Sequence, residues 1–261
     1  MKTLLTAAVL AAGLIASPAL SGAWAAPLKL GVSAGPYGEI LDFTAKLAAK
    51  EGLEAKVIEF TDWNMPNAAL QAGDIDANNF QHQPFLDNQI KQRGYDIVPV
   101  AKSVVVPMGL YSKKAKAVTE VKNGATISIP NDPTNAARAL VLLSDVGLIT
   151  LKSTGPTTSL IDIASNPKGL KFAELDAAQL PRSLDDVDAS VITLNYAVLA
   201  GLDPKTALKL EDDQSKWHLV WAVRKDRQDD PAIKRFIELY RSPEVRQFIL
   251  TRFNGTIVPT W

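Results

Sequence analysis

Apolar positions along this chain recur with two alternating periods. Leu28-Lys29-Leu30-Gly31-Val32 alternates apolar with polar or small residues, the period of a strand. After the turn Ser33-Ala34-Gly35-Pro36, residues from about Tyr37 to Lys50 carry Ile40, Phe43, Leu47 and Lys50 at three-to-four spacing, the period of a helix. Gly52 supplies its stop. The pattern repeats: a strand at Ala55 to Phe60, a loop holding Trp63, a short helix from Asn67 to Ala72 stopped by Gly73, a strand at Ile75 to Phe80, and a helix from Gln83 to Arg93. Alternating strand and helix implies parallel sheets flanked by helices.

Asp96 to Ser112 interrupts the alternation. It is long, β-branched and broken by Pro99 and Pro107, which suits an extended connection between two lobes. A second β/α set follows: strands at Thr126 to Ile129, at Lys171 to Leu175 and at Val187 to Thr193, a short segment around Leu148 to Leu151, and helices after Pro133, from Ser159 to Ser165 and from Asn195 to Ala200. His218 to Arg224 reads as a strand returning to the first lobe, and amphipathic helices at Pro231 to Tyr240 and Pro243 to Phe253 close the chain. The expected fold class is α/β: two lobes, each a sheet flanked by helices, joined by two crossings. The cleft between them is a preferred small-molecule site.

The strongest local instruction is Ile129-Pro130-Asn131-Asp132-Pro133-Thr134-Asn135-Ala136-Ala137-Arg138. Asp132 can cap the free N–H groups of a helix, and Pro133 fits its first position, where a missing donor costs nothing. Asn135 and Arg138, three apart, share a face near the helix start. A helix N-terminus with a guanidinium beside it can seat an anion, and arginine holds a carboxylate with two parallel bonds. The same spacing also suits a capped helix with a solvated arginine. Asn78-Asn79-Phe80-Gln81-His82-Gln83-Pro84-Phe85 gathers polar and aromatic residues at a strand end, where α/β folds place ligands. It reads equally as a strand-to-helix turn with Phe80 in the core.

The 261 residues are 47% hydrophobic and 21% charged, enough to bury a substantial core. Twenty-eight basic residues balance twenty-eight acidic ones, so no field of one sign recommends a nucleic acid or an anionic membrane. Met1-Lys2, an apolar run from Leu4 to Ile15 and Ala23-Trp24-Ala25 form a secretory signal over residues 1–26. With no cysteine, the exported chain has no disulfide and no thiol for a lipid anchor, so the expectation is a soluble, unanchored protein of the periplasm.

Cysteine nucleophiles are excluded, and neither a Gly-x-Ser-x-Gly elbow nor a phosphate-cradling Gly-x-x-x-x-Gly-Lys loop is present. Two histidines, His82 and His218, cannot supply a three-imidazole zinc site. Asp74-Ile75-Asp76 and Asp185-Asp186-Val187-Asp188 read as solvated turn edges, and Lys113 to Lys116 as a solvated turn. The expectation is a binding protein with no cofactor and no metal; the competing reading is an exported hydrolase using Asp76 and His82 as acid and base.

Gly73-Asp74-Ile75-Asp76-Ala77-Asn78 with Phe80-Gln81-His82 and Pro84, then Pro130-Asn131-Asp132-Pro133-Thr134-Asn135 with Arg138, then Ala178-Gln179-Leu180-Pro181-Arg182-Ser183-Leu184-Asp185-Asp186, resemble the methionine-binding substrate-binding proteins of ABC importers, the NlpA lipoprotein family. The resemblance implies a two-lobed periplasmic binding protein fold (type II), with residues 27–107 plus 219–261 in one lobe and 108–218 in the other. It implies a protein that closes on a free amino acid and presents it to a permease and its ATPase. Arg138 would clamp the ligand carboxylate, with Trp63, Phe80, Phe85 and His82 around a thioether side chain and Asn135, Thr193 and Asn195 completing the site. Rings suit a polarizable sulfur.

Three departures from the family's pattern matter. Thr193 stands where members typically carry Asn, Leu219 stands in the returning strand where many place another Asn, and the lipobox cysteine is missing. Losing two amides removes selectivity for the group they held. Methionine or a related amino acid is the expected ligand, with a different amino acid, an analogue or a short peptide as the alternative.

Overall fold

A computed structural model of the chain describes residues 26–211 and 217–261. The leader expected over residues 1–26 lies, apart from Ala26, outside the described residues. The first set of elements is β1 (Leu28–Ser33), α1 (Pro36–Lys50), β2 (Ala55–Phe60), α2 (Met65–Ala72), β3 (Ala77–His82), α3 (Gln83–Arg93) and β4 (Ile97–Val105). The second is β5 (Met108–Tyr111), β6 (Thr126–Pro130), α4 (Pro133–Asp145), β7 (Thr150–Leu151), β8 (Ile163–Ser165), β9 (Lys171–Leu175), α5 (Leu180–Ser183), β10 (Ala189–Thr193), α6 (Leu194–Leu199) and β11 (Lys209–Leu210). The chain ends with β12 (His218–Arg224), α7 (Pro231–Tyr240), α8 (Pro243–Arg252) and β13 (Val258–Pro259).

These strands form a six-stranded sheet of order β13-β4-β12-β3-β1-β2 and a five-stranded sheet of order β11-β5-β10-β6-β9. The result is the two-lobed α/β fold, one large sheet to each lobe. The sheets are mixed, which corrects the expectation of parallel ones: β1 pairs in parallel with β2 and β3, and β6 with β9 and β10, whereas β12 and β5 run antiparallel to their neighbours. The antiparallel strands are those that carry the chain between lobes, and reversal of direction follows from the crossing.

Each sheet is covered on both faces. Leu30, Ile40, Leu41, Trp221, Phe236 and Tyr240 fill one side of the six-stranded sheet, and Leu70, Ile75, Leu86 and Val220 the other. Ile127, Ile129, Leu140 and Val191 sit in one core of the five-stranded sheet, with Leu180, Ile192 and Tyr196 in the opposite one. Strand β3 is buried throughout although it reads Ala-Asn-Asn-Phe-Gln-His. Most of its amides are satisfied: Asn67 Nδ2 donates to Gln81 Oε1 at 2.7 Å, Gln81 Nε2 returns to Asn67 Oδ1 at 2.7 Å, and Asn78 Nδ2 reaches the same oxygen at 2.9 Å, while Asn79 Oδ1 accepts from Ser103 Oγ at 2.9 Å and Asn79 Nδ2 is left without a partner among the described residues. A closed amide network of this kind is what permits polar side chains at a sheet centre.

Two other expectations are corrected. The stretch Asp96 to Ser112 is not an extended connection: Ile97–Val105 is the fourth strand of the first sheet, Met108–Tyr111 belongs to the second, and only Val106-Pro107 passes between them. Pro99 is tolerated because β13 pairs only with Val104 and Val105, leaving the outer edge of β4 open at that point. No helix spans Ser159 to Ser165. Ser159 and Asp162 form a reciprocal capping box that closes one tight turn, after which Ile163–Ser165 pairs with β7. Pro167 biases the residue before it to extended backbone, which keeps the turn from growing.

Candidate functional site

The parallel strands of both sheets deliver side chains to one place. Tyr37 follows β1, Trp63 follows β2, and Phe80 and His82 end β3; from the other sheet Asn135 and Arg138 open α4 after β6, and Thr193 and Asn195 follow from β10. All eight residues expected at the site, Phe85 included, line a single cavity with Tyr37, Gln81, Val106 and Leu219. The location is the one predicted for α/β sheets, beyond the carboxyl ends of the strands.

Local chemistry builds each wall. Asp132 caps α4, accepting from Asn135 N–H at 2.9 Å, and Pro133 takes the first position as expected. Asp132 also holds the Asn135 amide, with Asn135 Nδ2 3.1 Å from each carboxylate oxygen. Burial pushes the Asp132 carboxyl above its usual range, against those hydrogen bonds. Asn135 Oδ1 in turn faces His82 Nε2 at 3.1 Å. Because His82 Nδ1 accepts the Phe85 N–H at 3.1 Å, the ring proton sits on Nε2 and donates to Asn135. Burial first, and the Arg138 charge second, hold the imidazole neutral, with its pKa lowered to about 3.

The His82–Asn135 bond crosses from one lobe to the other. So does Tyr196 Oη donating to the Thr61 carbonyl at 3.1 Å, with the Trp63 and Tyr196 rings 5.3 Å apart. The cleft is therefore closed. Phe85 anchors its aromatic wall, edge-on to Phe80 at 5.9 Å, to Trp63 at 6.2 Å and to His82 at 6.2 Å.

Arg138 is 3% exposed, which rules out the solvated-arginine reading. The two-bond carboxylate pairing read from the sequence is made, but by the chain's own Glu211. Arg138 Nε donates to its two oxygens at 2.9 and 3.2 Å, and Nη2 donates to Oε2 as well. Nη2 also reaches the Val106 carbonyl at 2.8 Å. Arg138 thus touches both segments that join the lobes, Val106 on the first crossing and Glu211 on the second. Trp217 covers the guanidinium, its ring centre 5.5 Å from the central carbon. What remains for a ligand is Nη1, which donates to no described residue.

The hydrolase pairing fails on geometry. Asp76 and His82 stand at opposite ends of β3, about 20 Å apart at strand spacing. Asp76 is engaged with Arg227 Nη1 at 3.0 Å and the Lys29 N–H at 2.7 Å, and both ring nitrogens of His82 are committed. The Lys113 and Lys114 cluster is neutralised by Asp185 and Asp188.

The family model described as NlpA lipoprotein matches residues 28–261. This chain belongs to the NlpA lipoprotein family. Among NlpA-type relatives it is 44% identical over 239 residues to the D-methionine-binding lipoprotein MetQ of Salmonella typhimurium, covering 90% of this chain and 88% of that one. It is 42% identical to the protein of the same name from Escherichia coli K12, with the same coverage. A nutrient binding protein from Burkholderia cenocepacia, solved bound to methionine, superposes with a TM-score of 0.86 at 48% identity, over 90% of this chain and all of that one.

Reading this NlpA-family chain by sequence missed Tyr37, Gln81, Val106 and Glu211. Tyr37 carried a usable signal, an aromatic one residue past the Gly-Pro turn at the end of β1. Gly35 has φ of 103°, and a Cβ there would meet Leu199 at 3.2 Å, so that turn depends on glycine. Glu211 carried none: it begins an acidic run, and its partner lies 73 residues earlier.

Proposed function

We propose that this NlpA-family protein is the solute-binding component of an ABC importer, closing on methionine or a related amino acid and delivering it to a permease and its ATPase. The observation that carries the reading is the convergence, from both lobes, of a buried guanidinium and an aromatic wall on one closed cavity. The ligand carboxylate rests on Arg138 Nη1, beside the capped start of α4, where a cation and helix N–H dipoles act together. The thioether lies among Trp63, Phe80 and Phe85, whose faces suit sulfur. Asn135, Thr193 and Asn195 line the polar side. The lobes comprise residues 27–107 plus 219–261 and 108–218, each holding one of the two large sheets, and they move about their crossings, of which Val106-Pro107 is the first.

The leader pattern over residues 1–26 supports export to the periplasm. Among the described residues no helix is long and apolar enough to cross a membrane, and the chain offers no cysteine for a lipid.

Calorimetry of protein freed of carried-over ligand, against L- and D-methionine and a panel of amino acids and short peptides, tests the reading. Single-site binding is expected, weakened at least tenfold in Arg138→Lys, which keeps the charge and loses the planar fork. If no compound binds, or if Arg138→Lys and Arg138→Ala bind as wild type does, the site is elsewhere.

A further inference from the structure

Glu211 is held in place before it meets Arg138. Its N–H donates to the Met108 carbonyl at 3.0 Å, and its Oε2 accepts the Met108 N–H at 2.9 Å, so the start of β5 fixes both its backbone and its side chain. It then takes the Nε and Nη2 edge of Arg138, the edge with which an arginine grips a carboxylate by two parallel bonds. The Val106 carbonyl takes a further bond from Nη2 at 2.8 Å. The two side chains of the pair are 3% and 12% exposed, so water screens it poorly. Arg138 lines the ligand cavity and Glu211 does not. The carboxylate therefore stands behind the guanidinium, at one guanidinium's remove from anything bound to Nη1.

A guanidinium alone attracts a ligand carboxylate and repels a ligand ammonium. A carboxylate fixed behind it weakens both effects. For a ligand that carries only a carboxylate, Glu211 is a pure cost. For a zwitterion the lost attraction is offset by relief of the ammonium, and for a ligand that carries only an ammonium Glu211 is a pure gain. Hydrogen bonds to the ammonium can come from neutral oxygens such as the Val106 carbonyl, which lines the cavity and keeps a second lone pair, so charge is a separate contribution. A unit charge about 7 Å away, at the intermediate dielectric of a partly buried site, changes a binding constant by at least about tenfold. Charges elsewhere on the chain are common to wild type and a Glu211 variant, and they cancel in the comparison.

Resting on the reading of the cleft as an amino-acid site anchored by Arg138, we propose that Glu211 is the residue that selects ligands by net charge. It favours the zwitterionic amino acid over an anionic carboxylate with the same side chain, such as the α-hydroxy or N-acyl acid. Glu211 touches no ligand atom in this scheme. It is a positioning residue that holds the guanidinium by its Nε and Nη2 edge, turns Nη1 to the ligand, and sets the charge the ligand meets through it.

Methionine amide, L-methionine and the α-hydroxy analogue of methionine form a series of cation, zwitterion and anion on one side chain at about pH 6, where the α-amine of the amide is charged. Calorimetry of the full chain, freed of carried-over ligand, reads the series in wild type, Glu211→Gln and Glu211→Asp. In wild type, methionine is expected to bind at least about tenfold tighter than the hydroxy acid. In Glu211→Gln that preference falls by at least about tenfold and the preference for methionine over its amide rises, while Glu211→Asp, which keeps the charge, retains the wild-type order. Weakening of all three ligands by one common factor in Glu211→Gln is the signature of a purely structural role and overturns the proposal. So does a shift in Glu211→Asp as large as that in Glu211→Gln. Wild type that binds the hydroxy acid as tightly as methionine overturns it without any variant; each of these results leaves the importer reading intact. If none of the three binds wild type, the importer reading fails, and this one with it.

Discussion

Replacing Glu211 by Gln removes the counter-charge of a guanidinium that is 3% exposed while keeping the shape of the side chain. The structure gives Glu211 bonds to Arg138 Nε and Nη2 and one from the Met108 N–H at 2.9 Å. Breaking a buried ion pair by removing one partner costs about 3–5 kcal/mol. Glu211 keeps 12% side-chain exposure, so the lower end applies, about 3 kcal/mol. For a chain of this size each kcal/mol moves the unfolding midpoint by about 2–4 °C, so the expected fall is about 6–12 °C. Thermal unfolding by circular dichroism at neutral pH, without ligand, measures it. Removing both charges with Arg138→Met and Glu211→Leu should recover most of the loss, because an apolar pair leaves no uncompensated ion. Saturating methionine should protect Glu211→Gln more than wild type, its carboxylate supplying the missing charge. A midpoint within about 2 °C of wild type would show that the pair contributes nothing to the fold, and the description of Arg138 as wired to both crossings would lose its energetic content.

His82 makes stability depend on pH. Its folded pKa, about 3, lies below the ordinary 6.5, so the unfolded chain binds the proton first. The contribution is complete above 6.5 and is lost as pH falls from there toward 3, reaching about 3 kcal/mol at about pH 4.5. Denaturant titrations of wild type and His82→Gln across that interval should converge at acid pH, and a constant difference at every pH refutes the assignment. Asn135→Ala leaves the buried His82 Nε2–H without an acceptor, at a cost of about 1–3 kcal/mol, and weakens the cap on α4. The expected readout is a more open ligand-free protein by small-angle scattering and weaker ligand binding; unchanged scattering would mean the His82–Asn135 bond does not help hold the lobes together.

What could be read from sequence was local. Asp132 before Pro133 states a cap within three residues, and the structure has that cap; Phe80, His82 and Phe85 sit close enough together to be seen as a cluster. The two-lobed outline followed from alternating periods, since burial against a sheet imposes the same spacing wherever it occurs. What was missed depends on distance or on chain reversal. Ile97–Val105 looked like a linker because prolines weaken a strand signal unless one knows which edge is open. The antiparallel course of β5 and β12 is set by where the chain crosses, which no local pattern records. The short run Ser159 to Ser165 has apolar residues at helical spacing, but its capping box and Pro167 close it after one turn. Glu211 is the clearest case. Nothing near it distinguishes it from Asp212 or Asp213, and its role exists only once the fold brings Arg138 to it.

In the proposed binding mode one cavity between the lobes receives a free amino acid with its carboxylate on Arg138. A crystal structure of the protein with methionine tests it most directly. The expected result is the ligand carboxylate within hydrogen-bond distance of Arg138 Nη1, with Glu211 still on Nε and Nη2, and the thioether against Trp63, Phe80 and Phe85. A ligand bound outside this cavity, or bound within it with its carboxylate turned away from Arg138, would contradict it.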